Sequence, residues 1–474
     1  VWAVLFVSCA ATPPGSRLEE AGLEVPPDWS SLPAANRPVD PGWMRRFGDR
    51  RLEALIAEAE QHNPDLKIAA SRVAQAAEQA RIVASAGRPN AFLGFGARRT
   101  RQNFLGYPDF GGAAPGEGAP AEETVLQNLS NTFGPSLDIS WEVDVWGRIR
   151  QGTSAAMAEA QGVEMDYAAA RTSLAAQVAK AWFALAEAEE QNRLAAETLQ
   201  ATEETERALR DRFRAGQADG QIVGAQYRLA KSDTASARAA LQQAAGARDA
   251  ARRQLETLIG RPARGTLVGP ATLPVPPPRP PAGLPSDLLL RRPDVRAAER
   301  RFAASGKKTE EARRALFPQF KLTATTGTST DDLGSILDSD FGVWTLAGNV
   351  AQPILTGGRL RAEIRVRQEK DLEAVAALQK AVLQAFGEVE TALAADAFLA
   401  RRESALQEAV ALANEADSEA RAAYRDGVGD ILTVFATQNR RLATEAQAIT
   451  VRRLRLDNRI NLHLALGGDY TPKS

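Results

Sequence analysis

Along residues 137–145 apolar and polar positions alternate strictly. Leu137, Ile139, Trp141, Val143 and Val145 are interleaved with Ser136, Asp138, Ser140, Glu142 and Asp144. A period of two with one apolar face predicts a half-buried strand. Phe320, Leu322 and Ala324 against Gln319, Lys321 and Thr323 repeat the pattern, and further strands are expected at Phe92 to Thr100 and Phe341 to Gln352. Elsewhere the period changes. Leu174, Val178, Ala181, Leu185 and Ala188 keep the four-three spacing of helices that bury a seam against one another. Proline is missing between Pro135 and Pro262 and again between Pro353 and Pro472, which frees both windows to be helix. A helix from Arg148 to Phe213 would be roughly 100 Å long at ~1.5 Å per residue. Shorter helices are expected from Leu52 to Ala86 and from Ser286 to Leu316.

The chain is internally duplicated. Asn63-Pro-Asp-Leu answers Arg292-Pro-Asp-Val, and Pro89 answers Pro318, each 229 residues on. Gly147-Arg-Ile-Arg answers Gly358-Arg-Leu-Arg, Gly216 answers Gly427, and Asp219 answers Asp430, each 211 residues on. The offset falls by 18, so the first half carries an insertion, for which the Gly/Pro-rich stretch Tyr107 to Glu123 is the candidate surface loop. The expected division is a signal remnant (1–8), an extended N-terminal segment (9–50), a first repeat (51–269), a Pro-rich linker (270–285), a second repeat (286–467) and a tail (468–474).

Composition narrows the function. With 58 basic and 59 acidic residues the net charge is -1, which argues against a nucleic-acid binder. Two histidines, His62 and His463, and one cysteine cannot build a Cys/His zinc site, and no metal or cofactor is expected. Thr356-Gly-Gly-Arg359 lacks the glycine spacing and lysine of a phosphate loop and reads as a strand-to-helix turn. No nucleophile, base and oxyanion set can be assembled, so the chain is not expected to be an enzyme. Val1 to Ser8 is an apolar run ending in a small residue before Cys9, which reads as the end of a lipoprotein signal with Cys9 as the lipidated residue; the bland alternative is an incidental cysteine. After this leader no apolar run is long enough for a spanning helix, so a bilayer crossing would have to use strands. The alternating segments fit either a soluble sheet, which is commoner, or a lipid-facing barrel wall. Four strands cannot close a barrel alone, but three chains would supply twelve.

Several stretches resemble one family, the TolC-like outer-membrane efflux factors, in the lipid-anchored branch serving resistance-nodulation-division pumps. They are Trp43 with Phe47-Gly-Asp and Leu52; Asn63-Pro-Asp-Leu66; Leu289-Leu-Arg-Arg-Pro-Asp-Val-Arg-Ala-Ala-Glu299 followed by Phe317-Pro318; and Gln352 to Arg361 with its counterpart Trp141 to Arg150. The resemblance implies a mainly α fold with β: a long antiparallel coiled α-helical barrel plus four strands per chain in a trimeric twelve-stranded β-barrel. It implies a homotrimer, a periplasmic adaptor and an inner-membrane transporter as partners, and a passive exit duct as function. Asp138, Ser140 and Glu142 would then face the lumen. Gly216 and Gly427, with Val428 and Gly429, would turn the long hairpins at a periplasmic tip where the adaptor docks. Leu432 matches an apolar constriction of the gate, with Asp219 and Asp430 close by; Ala436 stands where relatives often carry an aspartate. The rival reading is a soluble periplasmic coiled-coil adaptor or scaffold.

Overall fold

The computed structural model describes residues 26–30, 42–104, 126–215, 220–283 and 285–468. Along the chain run α1 (Arg50–His62), α2 (Pro64–Ser85), β1 (Asn90–Phe104), β2 (Leu126–Val143), α3 (Arg148–Arg214) and α4 (Gly220–Leu258). There follow α5 (Pro285–Arg291), α6 (Pro293–Arg314), β3 (Gln319–Thr328), β4 (Gly342–Ala351), α7 (Arg359–Arg425) and α8 (Ile431–Ala465). The duplication is carried into the elements: α2 and α6 are both 22 residues long, α3 and α7 both 67. The inserted loop at Tyr107 to Glu123 lies outside the described residues, but its flanks show the effect. β1 and β2 reach 15 and 18 residues where β3 and β4 each have 10.

Two sequence expectations need correction. The helices expected over Leu52–Ala86 and Ser286–Leu316 are each broken in two, at Asn63 and Arg292. The next residue is proline in both cases, which lacks an N–H, clashes with the preceding turn and pushes its predecessor to extended backbone; Asn63 has φ -62 and ψ 125. Pro64 and Pro293 then sit at the first helical position, where the missing N–H costs nothing. The alternation read through Val145 also ends earlier, at Val143. The Asp144 carboxylate turns away to accept from the backbone N–H groups of Ile149 (3.1 Å) and Arg150 (2.8 Å) at the start of α3.

The chain forms two compact units. The first holds residues up to Gln75, Ala160–Phe302 and the chain from Glu373 onward. Its largest core gathers Trp43, Leu52, Ile56, Leu174, Val178, Trp182, Phe183, Leu185, Leu255 and Leu456. The four-three seam on α3 is buried from Leu174 to Leu185 and half-buried at Ala188, and Ala175, Ala179 and Phe183 on its other faces are buried too. A helix buried nearly all round lies inside a bundle. A second core in this unit centres on Leu288, Val295, Leu378, Val382, Val389 and Leu393.

The residues preceding the two helix-breaking prolines have matching jobs in this unit. Asn63 Nδ2 donates to the carbonyl of Leu258, the last residue of α4, at 2.8 Å. Arg292 Nη1 donates to the carbonyl of Ala465, the last residue of α8, at 3.2 Å. Each repeat thus satisfies an orphan carbonyl at the end of its returning helix with a side chain from its own helix break. Buried Glu256 holds the chain after α4 in the same way, accepting from the N–H groups of Gly265 (2.6 Å), Thr266 (2.8 Å) and Leu267 (3.0 Å).

The second unit comprises Ala76–Glu159 and Ala303–Leu372. It contains one antiparallel sheet in the order β1-β2-β3-β4. In the β2–β3 register Ser136 faces Gly327 and Val143 faces Phe320; in β3–β4, Gln319 faces Ala351. Among the described residues β1 and β4 have no outer partner strand.

Candidate functional site

The sheet has two chemically distinct faces. On one, the registers bring together Leu93 with Leu137, Thr326 and Trp344, then Ala91 with Ile139, Ala324 and Leu346, and lower down Val143 with Phe320 and Val350. These side chains are not covered: Leu93 is 82% exposed, Trp344 77%, Leu346 72%, and Leu322 and Val350 are exposed as well. A soluble sheet would bury this face in a core; a contiguous uncovered apolar surface of this kind marks a lipid or protein contact. Its height fits a bilayer. From Phe133 to Val143 the apolar positions of β2 span roughly 33 Å at ~3.3 Å per residue, or ~25 Å across a membrane at the tilt of barrel strands.

Aromatic rings mark the ends of the belt. At one end Trp146 and Phe317 pack with centroids 5.4 Å apart, and Trp146 Nε1 donates to the Pro318 carbonyl at 2.8 Å. At the other, Phe95 and Phe133 lie on the same face. Rings with a polar handle or edge suit the boundary between hydrocarbon and headgroups.

The opposite face carries the residues picked from the sequence as lumen-facing. Asp138 and Ser140 are exposed and Glu142 half-buried. Asp138 is not a bare charge, because its two carboxylate oxygens accept from Ser136 Oγ (2.9 Å) and Thr325 Oγ1 (2.8 Å). Glu142 accepts from Arg148 at 2.7 Å and stands opposite Lys321 in the register. Thr323, Thr325, Thr345 and Asn349 continue this hydrophilic face. Lys321 and Thr325 were not singled out as site residues from sequence, since the pairing that sets them beside the two acids is not encoded in either strand alone. Phe92, opposite Asp138, and Val343, opposite Gly327, are apolar exceptions on this face.

The turn between α7 and α8, in the first unit, gathers Gly427, Val428, Gly429, Asp430 and Leu432. It is a Schellman closure: the Val428 N–H donates to the Ala423 carbonyl (3.0 Å) and the Gly427 N–H to the Tyr424 carbonyl (3.3 Å). Gly427 has φ 78, and a Cβ on Gly429 would lie 2.9–3.0 Å from the Tyr424 nitrogen and the Ala423 carbonyl carbon. Both glycines are therefore required by the turn itself. Val428 is exposed at its apex. Asp430 begins α8, and its side chain makes no capping hydrogen bond.

On α8 the first turns have two faces. Ile431, Val434 and Phe435 join Leu209 and Ala230 in a small core, whereas Leu432, 49% exposed, and Ala436 point away from it. An exposed leucine beside an otherwise satisfied core is available for contact outside the chain. Arg212, near the end of α3, donates to the Tyr424 hydroxyl at 2.5 Å and lies 4.7 Å over its ring. That clasp, which joins the ends of the two hairpins, was missed from sequence; the cue was Tyr424 standing 211 residues after Phe213. Cys9, Gly216 and Asp219 lie outside the described residues.

No helix among the described residues is long and apolar enough to cross a membrane, and no group of His, Cys, Asp and Glu there could hold a metal ion.

Comparison with known proteins agrees with this geometry. A family profile described as outer membrane efflux protein matches residues 55–261 and 284–468. The pyoverdine export outer membrane protein OpmQ of Pseudomonas aeruginosa is 30% identical over 475 residues, covering 98% of this chain and 95% of its own. The toluene efflux pump outer membrane protein TtgF of Pseudomonas putida is 31% identical over 441 residues, covering 92% and 87%. The open state of the MtrE outer membrane channel of Neisseria gonorrhoeae superposes with a TM-score of 0.79 at 30% identity, covering 95% of this chain and 97% of that one. The chain belongs to the outer membrane efflux protein family and has the TolC-like fold of its outer-membrane channels.

Proposed function

We propose that this chain is one of three identical subunits of a passive exit duct that carries small molecules out of the cell and catalyses no reaction. The observation that carries the reading is the uncovered apolar belt on a four-stranded sheet with two open edges. One copy leaves those edges as aggregation hazards; three copies close them into a twelve-stranded barrel whose belt faces lipid and whose Asp138, Ser140 and Glu142 face water. In that assembly the exposed Leu432 rings form the gate, with Asp430 and Asp219 at its level. The turn Gly427–Val428–Gly429 and its counterpart at Gly216 receive a periplasmic adaptor, which links the duct to an inner-membrane resistance-nodulation-division transporter. Cys9 carries the lipid anchor. The polar face, mixed in charge and rich in threonine, suits a conduit for varied small solutes rather than a selective filter.

The test is recording from purified protein in a planar bilayer, with the molecular mass measured in detergent. A trimer that forms pores is expected. A protein extracted without detergent that conducts nothing would be the soluble adaptor instead, a reading that the uncovered belt disfavours.

A further inference from the structure

The two unpaired sheet edges carry opposite charge at the same end. β1 runs out through Arg98-Arg99-Thr100-Arg101, with all three arginines exposed. The connection from β3 to β4 holds Asp331, Asp332, Asp338 and Asp340, also exposed. Asp332 and Asp338 shape that loop by accepting from the N–H groups of Gly334 and Asp340. Asp340 stands where the loop returns into β4. Within one chain the two features are three strand spacings apart, roughly 14 Å at ~4.8 Å each, too far for an ion pair.

We propose that the basic end of β1 seats against the acidic β3–β4 loop of a second copy of this chain, and that this charge pairing sets the register in which neighbouring copies join. The inference rests on the trimeric barrel reading above. Because the strand count is even and the order is sequential, β4 of one copy lies antiparallel to β1 of the next. With their inner ends aligned, Asn90 against Ala351, the ten residues of β4 end opposite Arg99, and Arg101 stands level with Asp340. Arg99 and Arg101 continue the face of the apolar belt and Arg98 the opposite face, so the loop is met from both sides.

The physical need is specific. Edge hydrogen bonds are the same in every register, and a slip of one residue is forbidden because it would turn the belt toward water. A slip of two keeps every face correct, and the small and aliphatic side chains of the belt at Ala91, Leu346 and Gly348 resist it weakly. It does move Arg101 about 7 Å from Asp340. Opposite charges at the rim, outside the hydrocarbon, therefore discriminate where sidedness cannot.

The experiment places cysteines at Arg101→Cys and Asp340→Cys in the full chain, purified in detergent and mildly oxidised. The within-chain separation exceeds the roughly 7 Å Cα limit of a disulfide, so any bond joins two copies. A reducible ladder of linked dimer and trimer is expected, and neither single variant, each retaining Cys9, should give it. A protein that light scattering finds trimeric but that yields no ladder overturns the seam and leaves the barrel standing. A monomeric parent overturns both. As a second measurement, Arg99→Glu with Arg101→Glu should lower the temperature at which the trimer dissociates, and adding Asp331→Lys with Asp340→Lys should restore it. If it is not restored, and the arginine variant instead loses binding to vesicles of phosphate-bearing lipid, the arginines serve headgroups and the seam is wrong.

Discussion

Arg292 shows how much one side chain integrates. Buried at the break between α5 and α6, it reaches Asp294 (2.7 Å), Glu388 on α7 (2.6 Å) and the last carbonyl of α8. Burial works against its charge, but Asp294 and Glu388 outweigh that and hold its proton more firmly than usual. Arg292→Ala leaves the Ala465 carbonyl without this donor and two half-exposed carboxylates without their partner; a loss of about 1–2 kcal/mol is expected in detergent unfolding, with Arg292→Lys recovering only part because it lacks the planar fork. Asp457 on α8 has the opposite character. Burial pushes its carboxyl up to about 6 despite Arg453 and Lys180, and Glu187 adds to the rise. A folded-state value above the unfolded one means the native protein binds this proton more tightly, so its stabilising contribution is complete below about pH 4 and is lost as pH rises through 6. Melting curves from pH 4 to 8 should show this slope in the parent and not in Asp457→Asn. At pH 7.5 the variant should be more stable by about 1–2 kcal/mol, since Arg453 keeps Glu187 as a partner.

At the scale of elements, the helix-turn-helix tip separates structural from functional residues. Gly427→Ala would force a Cβ into left-handed backbone and should cost about 1 kcal/mol, read as a lower melting temperature with conductance unchanged. Leu432→Ser touches no core contact of its own hairpin and should leave melting within about 0.5 kcal/mol of the parent. If Leu432 forms the gate, the serine variant conducts more readily in single-channel recording; equal conductance removes it from that role. The tip was partly legible in sequence, because glycine at C′ after a long proline-free window is a local signal. The Arg212–Tyr424 clasp was not, since it joins residues 212 positions apart. Nor were the helix breaks at Asn63 and Arg292 placed in advance, although each precedes a proline, because the apolar pattern continues across them.

At the scale of the whole molecule, the two faces of the sheet should respond differently to charge. Leu346→Lys lies in the middle of the belt and should cost about 2–4 kcal/mol if that face meets lipid, with less trimer recovered from the outer membrane. Ser140→Lys, on the other face, should insert normally and shift ion selectivity toward anions. Equal effects of the two lysines would mean that the belt does not face lipid.

Sequence alone determined that this chain has long helices, alternating strands and two copies of one helix-strand plan, because these are written in residue spacing along the chain: the seam of Leu174, Val178, Ala181 and Leu185, the alternation at Leu137 to Val143, and the motifs matched 211 and 229 residues apart. It could not decide between a wetted sheet and a barrel wall, since both write the same pattern. That choice needed the register, which sets Leu93, Leu137, Thr326 and Trp344 in one row across the sheet, and the absence among the described residues of anything packed over them. Burial depends on what the rest of the chain leaves uncovered, and only the tertiary structure contains that.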